Sequence, residues 1–325
     1  MLYPLKFKPI FKEKIWGGNN LNTLLNKDTN DLNNVGESWE LSAVQDNLSI
    51  ISNGFLADNN IQEVIEIYMG ELIGDHVYEK FGIEFPILFK FIDAREKLSI
   101  QVHPDNNFAK EKHHAYGKTE MWYIISAKEK SELVLGLKEG VEKKEFLQAL
   151  ENNQIESIIN FSNPKNDDVY FIPAGTVHSI GSGILLAEIQ QTSDISYRIH
   201  DYNRTDDNGE LRDLHNDLAK DSINYKFEKT YKVNHKNQDN KPSRITKCEF
   251  FTSQIINFDR EIERDYYNLD SFVVYMCLEG DFYINYNNGE SLNVKKGETV
   301  LIPAVLDFIT LYPSVKSRII ETYIE

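Results

Sequence analysis

Cysteine is nearly missing: Cys248 and Cys277 are the only two in 325 residues. Two thiols cannot build a disulfide framework for a chain this long, so the fold has to be held by a buried core. Positive charge is also short, with 35 Lys and Arg against 51 Asp and Glu, a net of −16. That balance excludes nonspecific binding to nucleic acid or to an anionic membrane surface, because the field of the whole chain repels both. It also sets a requirement: an anionic substrate must be met by a local cluster of cations. No run of 18 apolar residues occurs, so no membrane-spanning helix is expected. The opening stretch Met1–Lys8 lacks the continuous apolar run of a secretory signal. A soluble protein of the cytoplasm is the expectation.

What the chain does have is core material, with 41% hydrophobic residues, and 17 Tyr and 18 Phe that favour strands. Short apolar runs broken by Gly and Asn over Tyr3–Asn53 predict strands and turns. Ile61, Val64, Ile65, Tyr68, Met69, Leu72 and Ile73 follow helical spacing and predict one amphipathic helix over 60–81, stopped at Gly82. Strands are predicted at Pro86–Asp93, Leu98–His103, Met121–Ile125, Asp168–Ile172, Ile184–Ile189 and Ser196–Ile199, with one or two helices over 141–161. Polar residues dominate 226–243, the best linker. Beyond it strands are predicted at Cys248–Ile256, Ser271–Leu278, Asp281–Tyr286, Thr299–Ile302 and Ser317–Tyr323. The expected domains are a catalytic region over 1–225, a linker over 226–245 and a smaller unit over 246–325.

Asp168–His178 and Glu298–Phe308 share an acidic residue, an apolar strand and Pro-Ala at the same offsets. The repeat suggests two related β-barrels. Pro173-x-Gly175-x-x-His178 follows a strand, as a turn that returns a histidine to a sheet should. Gln101 and His103 lie two apart on a strand and so leave the same face. Glu120 opens another strand. Two histidines, a carboxylate and an amide oxygen can complete a divalent metal site. Singly, each has a bland reading: a hydrogen-bonded strand histidine, a solvated carboxylate, a surface amide. The joint pattern favours the metal. His113 and His114 read as solvated loop residues.

The Pro-x-Gly-x-x-His string resembles the second signature of the cupin superfamily. Leu98–Asp105, Gly117–Trp122, Glu37–Ser42, Phe85–Lys90 and Ser196–Arg204 resemble, in order, the type I mannose-6-phosphate isomerases in their compact bacterial form. The resemblance implies a mainly β fold of two cupin-like jelly-roll barrels with additional α-helices, and an enzyme that interconverts mannose 6-phosphate and fructose 6-phosphate. It implies one Zn2+ per chain held by Gln101, His103, Glu120 and His178. Arg198 matches the family's catalytic arginine, and Lys118 the lysine before the metal-binding glutamate. Lys90 and Arg204 are further candidates for the phosphate, or else plain rim cations. Val305 and Phe308 replace Gly175 and His178 in the second half, so that half is expected to be scaffold, with Phe308 treated as a core residue.

Aldose–ketose isomerisation moves a proton between C1 and C2 through an enediol-type state, and needs a base near the proton and positive charge near the oxygens. The base stays open between Lys118, His103 and a hydroxide on the metal. Two other classes compete: a non-haem Fe(II) cupin oxidoreductase, since two His and one carboxylate form its facial triad, and a non-catalytic sugar-binding cupin. The expected partner is a small sugar phosphate, with no nucleic acid and no membrane, on a monomer or weak homodimer.

Overall fold

The structure, a computed structural model, describes residues 1–29, 32–205, 208–287 and 289–325. It is mainly β. Among the described residues the strands form three sheets, none closed by its hydrogen-bond pairing. No helix there is long and apolar enough to cross a membrane.

The central sheet has seven strands, in the order Lys232–Val233, Val169–Ile172, Glu120–Ala127, Ile184–Gln191, Ile87–Ala94, Ile10–Gly18 and Val35–Leu41. Its middle strands read as nearly unbroken apolar runs because both of their faces are buried. Phe89, Phe91, Met121, Tyr123, Ala187 and Ile189 pack in one core with Ile255, Val274, Met276 and Ile320 of the C-terminal sheet. The alternate residues Ile92, Trp122, Ile124 and Leu186 pack on the other side, with Leu133, Leu135 and Ile180 of a five-stranded sheet. Period-two alternation therefore sends Lys90, Glu120 and Glu188, which sit between these residues, toward the five-stranded sheet.

That second sheet runs Tyr197–His200, Ile100–Val102, His178–Ile180, Leu133–Leu137 and Ile159–Ser162. Its outer residues Ile100, Val102, Tyr197 and Ile199 are covered by Phe146 and Ala149 of helix Lys143–Glu151 and by Ala219 of helix Asn216–Ser222. The third sheet is C-terminal, built mainly on the long antiparallel pair Val273–Tyr286 and Phe308–Tyr323. Strand Leu5–Lys6 joins it against Thr299–Ile302.

The internal repeat is structural. Ile124 N–H donates to Asp168 O and Cys277 N–H to Glu298 O, both at 2.9 Å. The carboxylates of Asp168 and Glu298 accept from the backbone N–H three residues upstream, Lys165 at 3.0 Å and Lys295 at 2.7 Å. Each strand then leads into its Pro-Ala turn and a following strand, at His178 or at Phe308.

Four expectations need correction. The helix predicted over 60–81 is three short ones, Ile61–Tyr68, Gly70–Ile73 and Asp75–Phe81. Two residues of positive φ break it: Met69, at +46°, ends the first helix, and Gly74, at +93°, ends the second, where a Cβ would lie 2.3 Å from Asp270 O, so the chain turns against the C-terminal half. In the stretch 141–161, Ile159 leaves the helical pattern and opens strand Ile159–Ser162. The two strands predicted at 271–278 and 281–286 are one, Val273–Tyr286, which keeps its pairing across Gly280 by bulges. Phe308 is not a core residue; it is 51% exposed.

Candidate metal centre and active-site cavity

The two N-terminal sheets bring the candidate residues together from opposite sides. In the five-stranded sheet, Gln101 is the register partner of both His178 and Arg198, so the three stand in one row across adjacent strands. Gly175, at φ +85°, donates its N–H to His103 O at 2.8 Å and ties the histidine-bearing turn to the end of the Gln101 strand. From the central sheet comes Glu120. The loop between His103 and Glu120 is pinned by Lys118 N–H donating to Pro104 O at 3.0 Å.

The metal-binding atoms of His103, Glu120 and His178 all lie within 4.8 Å of one another, and all three residues are buried. Nε2 of His103 is 3.5 Å from Glu120 Oε2, and Nε2 of His178 is 3.5 Å from Oε1. Each ring is oriented from behind. His103 Nδ1 donates to Ile195 O at 3.0 Å and His178 Nδ1 to Thr176 O at 2.8 Å. A carbonyl only accepts, so each Nδ1 carries the proton and each neutral ring turns the lone pair of Nε2 toward Glu120. Burial, joined for His103 by Lys118, lowers the pKa of His103 well below its usual range. Burial also lowers His178, against the pull of Glu120.

Both oxygens of Glu120 are buried without a hydrogen-bond partner. Orphaned acceptors of this kind are rare and costly. Their nearest cation is Lys118, whose Nζ is 3.3 Å from Glu120 Oε2 and 3.1 Å from His103 Nε2. A divalent cation among the two Nε2 atoms and the carboxylate would satisfy them, so the donor set fits a metal. The amide of Gln101 adjoins it, with Nε2 3.4 Å from His178 Nε2.

Beside this centre opens a cavity of about 370 Å³. Gln101, Lys118, Arg198 and Lys90 line it, together with Lys12, Lys14 and Arg212. This is the local cation cluster that the acidic composition requires. Arg204 is not on that lining: its guanidinium is spent on the Asp201 carboxylate and on Lys97 O at 2.5 Å. His113 and His114 lie elsewhere, at the end of helix Asn106–His113, where His113 Nε2 meets Tyr197 O–H at 2.7 Å.

Glu188, which no motif marks, completes the site with Lys90, Glu37 and Trp39 of the Phe85–Lys90 and Glu37–Ser42 strings. Glu188 lines the cavity; its Oε2 accepts from Trp122 Nε1 at 2.8 Å and its Oε1 has no hydrogen-bond partner. Lys90 Nζ lies 3.3 Å from that Oε1, 3.8 Å from Glu37 Oε2 and 4.9 Å from the centroid of the Trp39 ring. Burial works against the charge on Lys90, but Glu188 and Glu37 outweigh it and its pKa rises. Burial likewise opposes charge on Glu37, yet Lys90 and Lys14 bring its carboxyl down to about 2. Only the alternation of the central strands, once their inner face is known, could have signalled Glu188.

Comparison with known proteins gives a consistent result. The family profile "Phosphomannose isomerase type I, catalytic domain" matches residues 4–157. Mannose-6-phosphate isomerase ManA of Bacillus subtilis is 38% identical over 216 residues, which is 65% of this chain and 65% of that one. YvyI of the same organism is 32% identical over 317 residues, 95% of each chain. Among solved structures, the mannose 6-phosphate isomerase from Bacillus subtilis superposes with a TM-score of 0.90 at 29% identity, over 99% of this chain and 100% of that one.

Proposed function

This chain belongs to the type I mannose-6-phosphate isomerase family, and from that premise we propose that it is a zinc-dependent isomerase interconverting mannose 6-phosphate and fructose 6-phosphate. The observation that carries the reading is Glu120, a buried carboxylate without hydrogen bonds, set between two histidine Nε2 atoms beside a cation-lined cavity. Imidazole and carboxylate suit Zn2+, and Gln101 would join as fourth ligand through Oε1 once its amide is turned. Zinc, when bound, would supply Lewis-acid polarisation of sugar oxygens.

The chain's own residues supply the rest. Arg198 presents a charge that cannot be lost, to meet the negative charge that grows on oxygen along the enediol path. Lys118 adds a second cation next to the ligands. Glu188 is the carboxylate placed to carry the proton between C1 and C2: it lines the cavity, and its Oε1 has no hydrogen-bond partner and faces Lys90 Nζ at 3.3 Å. Lys90, caged by Glu37, Glu188 and Trp39, orients that carboxylate and adds positive charge at the substrate.

The finer architecture that goes with this reading is a pair of cupin-type barrels: a catalytic region over 1–225, a connecting segment over 226–245 and a C-terminal unit over 246–325, to which Leu5–Lys6 is lent. A cytoplasmic monomer or weak homodimer suits it. The deciding experiment is a coupled assay on mannose 6-phosphate with and without chelator, beside elemental analysis and an oxygen electrode. Stoichiometric zinc, chelator-sensitive turnover and no oxygen uptake are expected. Full activity in metal-free protein, or iron with oxygen uptake, would overturn the reading.

A further inference from the structure

We propose that Arg212, held in place by Asp201, grips the phosphate of the substrate at the end of the cavity away from the candidate metal ligands. The sugar's identity rests on the isomerase reading above; the anion site rests on geometry alone.

Strand Tyr197–His200 ends at Asp201, and an antiparallel bridge between Thr205 and Leu211 returns the chain alongside it. Arg212 N–H then donates to Arg204 O at 3.4 Å, and its guanidinium reaches back over Asp201, with Nη1 at 3.3 and 3.1 Å from the two carboxylate oxygens. Asp201 is buried and holds Arg204 as well. Among the described residues, one carboxylate thus anchors both guanidiniums. Arg204 turns from the cavity to a backbone carbonyl, whereas Arg212 lines the cavity.

Arg198 lines the same cavity and feels Arg212 as a like charge. Burial first, and then Arg212, push the pKa of Arg198 down. Arg198 Nη1 donates to Asp213 O at 2.6 Å, but its Nε is buried with no partner. Two guanidiniums brought together around an orphaned buried donor are an arrangement that an anion relieves, and planar forks of this kind suit phosphate oxygens.

The placement also fits the length of the substrate. Arg198 is the register partner of Gln101 and so lies on the metal side of the cavity. Arg212 also lines the adjoining cavity with Glu13, Lys14 and Trp16, which none of the four candidate metal ligands does. The reacting carbons and the phosphate of a hexose 6-phosphate are at opposite ends of the sugar. With C1 and C2 at the metal centre, the phosphate falls at Arg212.

The test uses inorganic phosphate as the probe, measured by calorimetry on the metal-replete protein, alongside steady-state kinetics. Arg212→Ala should weaken phosphate binding and raise KM for mannose 6-phosphate by similar factors, roughly 10- to 100-fold, as loss of a charged hydrogen bond does. Turnover and metal content should hold. Arg212→Gln, which keeps the stem and a donor for Asp201, serves if truncation unfolds the hairpin and should show the same loss. Asp201→Asn should weaken phosphate binding in the wild-type background and add nothing in Arg212→Ala; a merely structural role would lower both alike. Unchanged phosphate affinity in folded Arg212→Ala and Arg212→Gln overturns the proposal. Phosphate binding lost with Arg212 in a protein without isomerase activity would sustain the anion site and sink the isomerase reading.

Discussion

His178 and Phe308 each stand five residues beyond a turn-forming proline and open the strand that follows, yet His178 is 1% exposed and Phe308 51%. The backbone device is shared and its partner differs. In the first half the turn's Gly175 N–H donates to the backbone of His103, itself a candidate metal ligand. In the second half Val305 N–H donates to Glu71 O at 3.0 Å and Ala304 N–H to Leu72 O at 2.9 Å, so helix Gly70–Ile73 closes the turn. The same unit serves the candidate metal centre in the first half and joins the two halves in the second.

Phe308→Ala should therefore cost little, about 0.5 kcal/mol or less, as for other exposed positions. Phe282, fully buried in the C-terminal core, should cost roughly 3–5 kcal/mol when truncated to Ala. Urea unfolding of both variants checks the contrast. Equal losses would mean that the Phe308 ring is covered in solution.

Removing a histidine from the triad should remove the metal without removing the fold. Zinc should raise the melting temperature of the wild-type protein, since a ligand of the native state stabilises it by mass action. His103→Ala and His178→Ala should lose that shift, the bound zinc and the turnover together while keeping their circular dichroism. A metal-dependent shift that survives in both variants would place the metal elsewhere.

Local motifs made half of the site legible. Gln101-x-His103 on a strand and Pro173-x-Gly175-x-x-His178 on a turn carry their geometry within a few residues, and the structure brings both to Glu120. Glu188 carries no such local pattern, and Glu37 and Trp39 lie in the Glu37–Ser42 string, which does not show what their side chains meet. The Glu188 strand is buried on both faces, so it reads as an apolar run, and which face meets the candidate ligands depends on the sheet order. Arg212 was hidden for another reason: it reaches the cavity only because the bridge at Thr205 folds the chain back over Asp201. Arg204, nearer the motif, is turned away by the same aspartate. In the helix over 60–81 the apolar spacing was right, but Met69 at positive φ and the close approach of Gly74 to Asp270 divide it.

Glu37 should mark acid unfolding. Its folded pKa of about 2 lies below the ordinary glutamate value of about 4.3, so the unfolded chain binds the proton more readily. The stabilisation is whole above about pH 5 and is lost as the pH falls toward 2, on the order of 3 kcal/mol at most. The stability gap between wild type and Glu37→Gln should shrink as pH drops from 6 to 3. A gap that stays constant would show that Lys90 and Lys14 do not hold the carboxylate charged.

Arg198 gives the sharpest kinetic test, because its role and that of Arg212 separate by parameter. If Arg198 meets charge that develops as the enediol-type state forms, Arg198→Ala should fall mainly on turnover. Losing one preorganised donor of this kind costs about 10²–10³ in rate, or roughly 3–4 kcal/mol. Arg198→Lys keeps the charge but not the planar fork that donates to Asp213 O, so it should recover only part of the loss. Metal content should stay level in both variants, since Arg198 stands one strand beyond Gln101 and two beyond His178. Steady-state kinetics on the zinc-replete proteins decide the matter. A large rise in KM with turnover near wild type would make Arg198 a phosphate ligand alone, and would leave Lys118 and the metal to stabilise the developing charge.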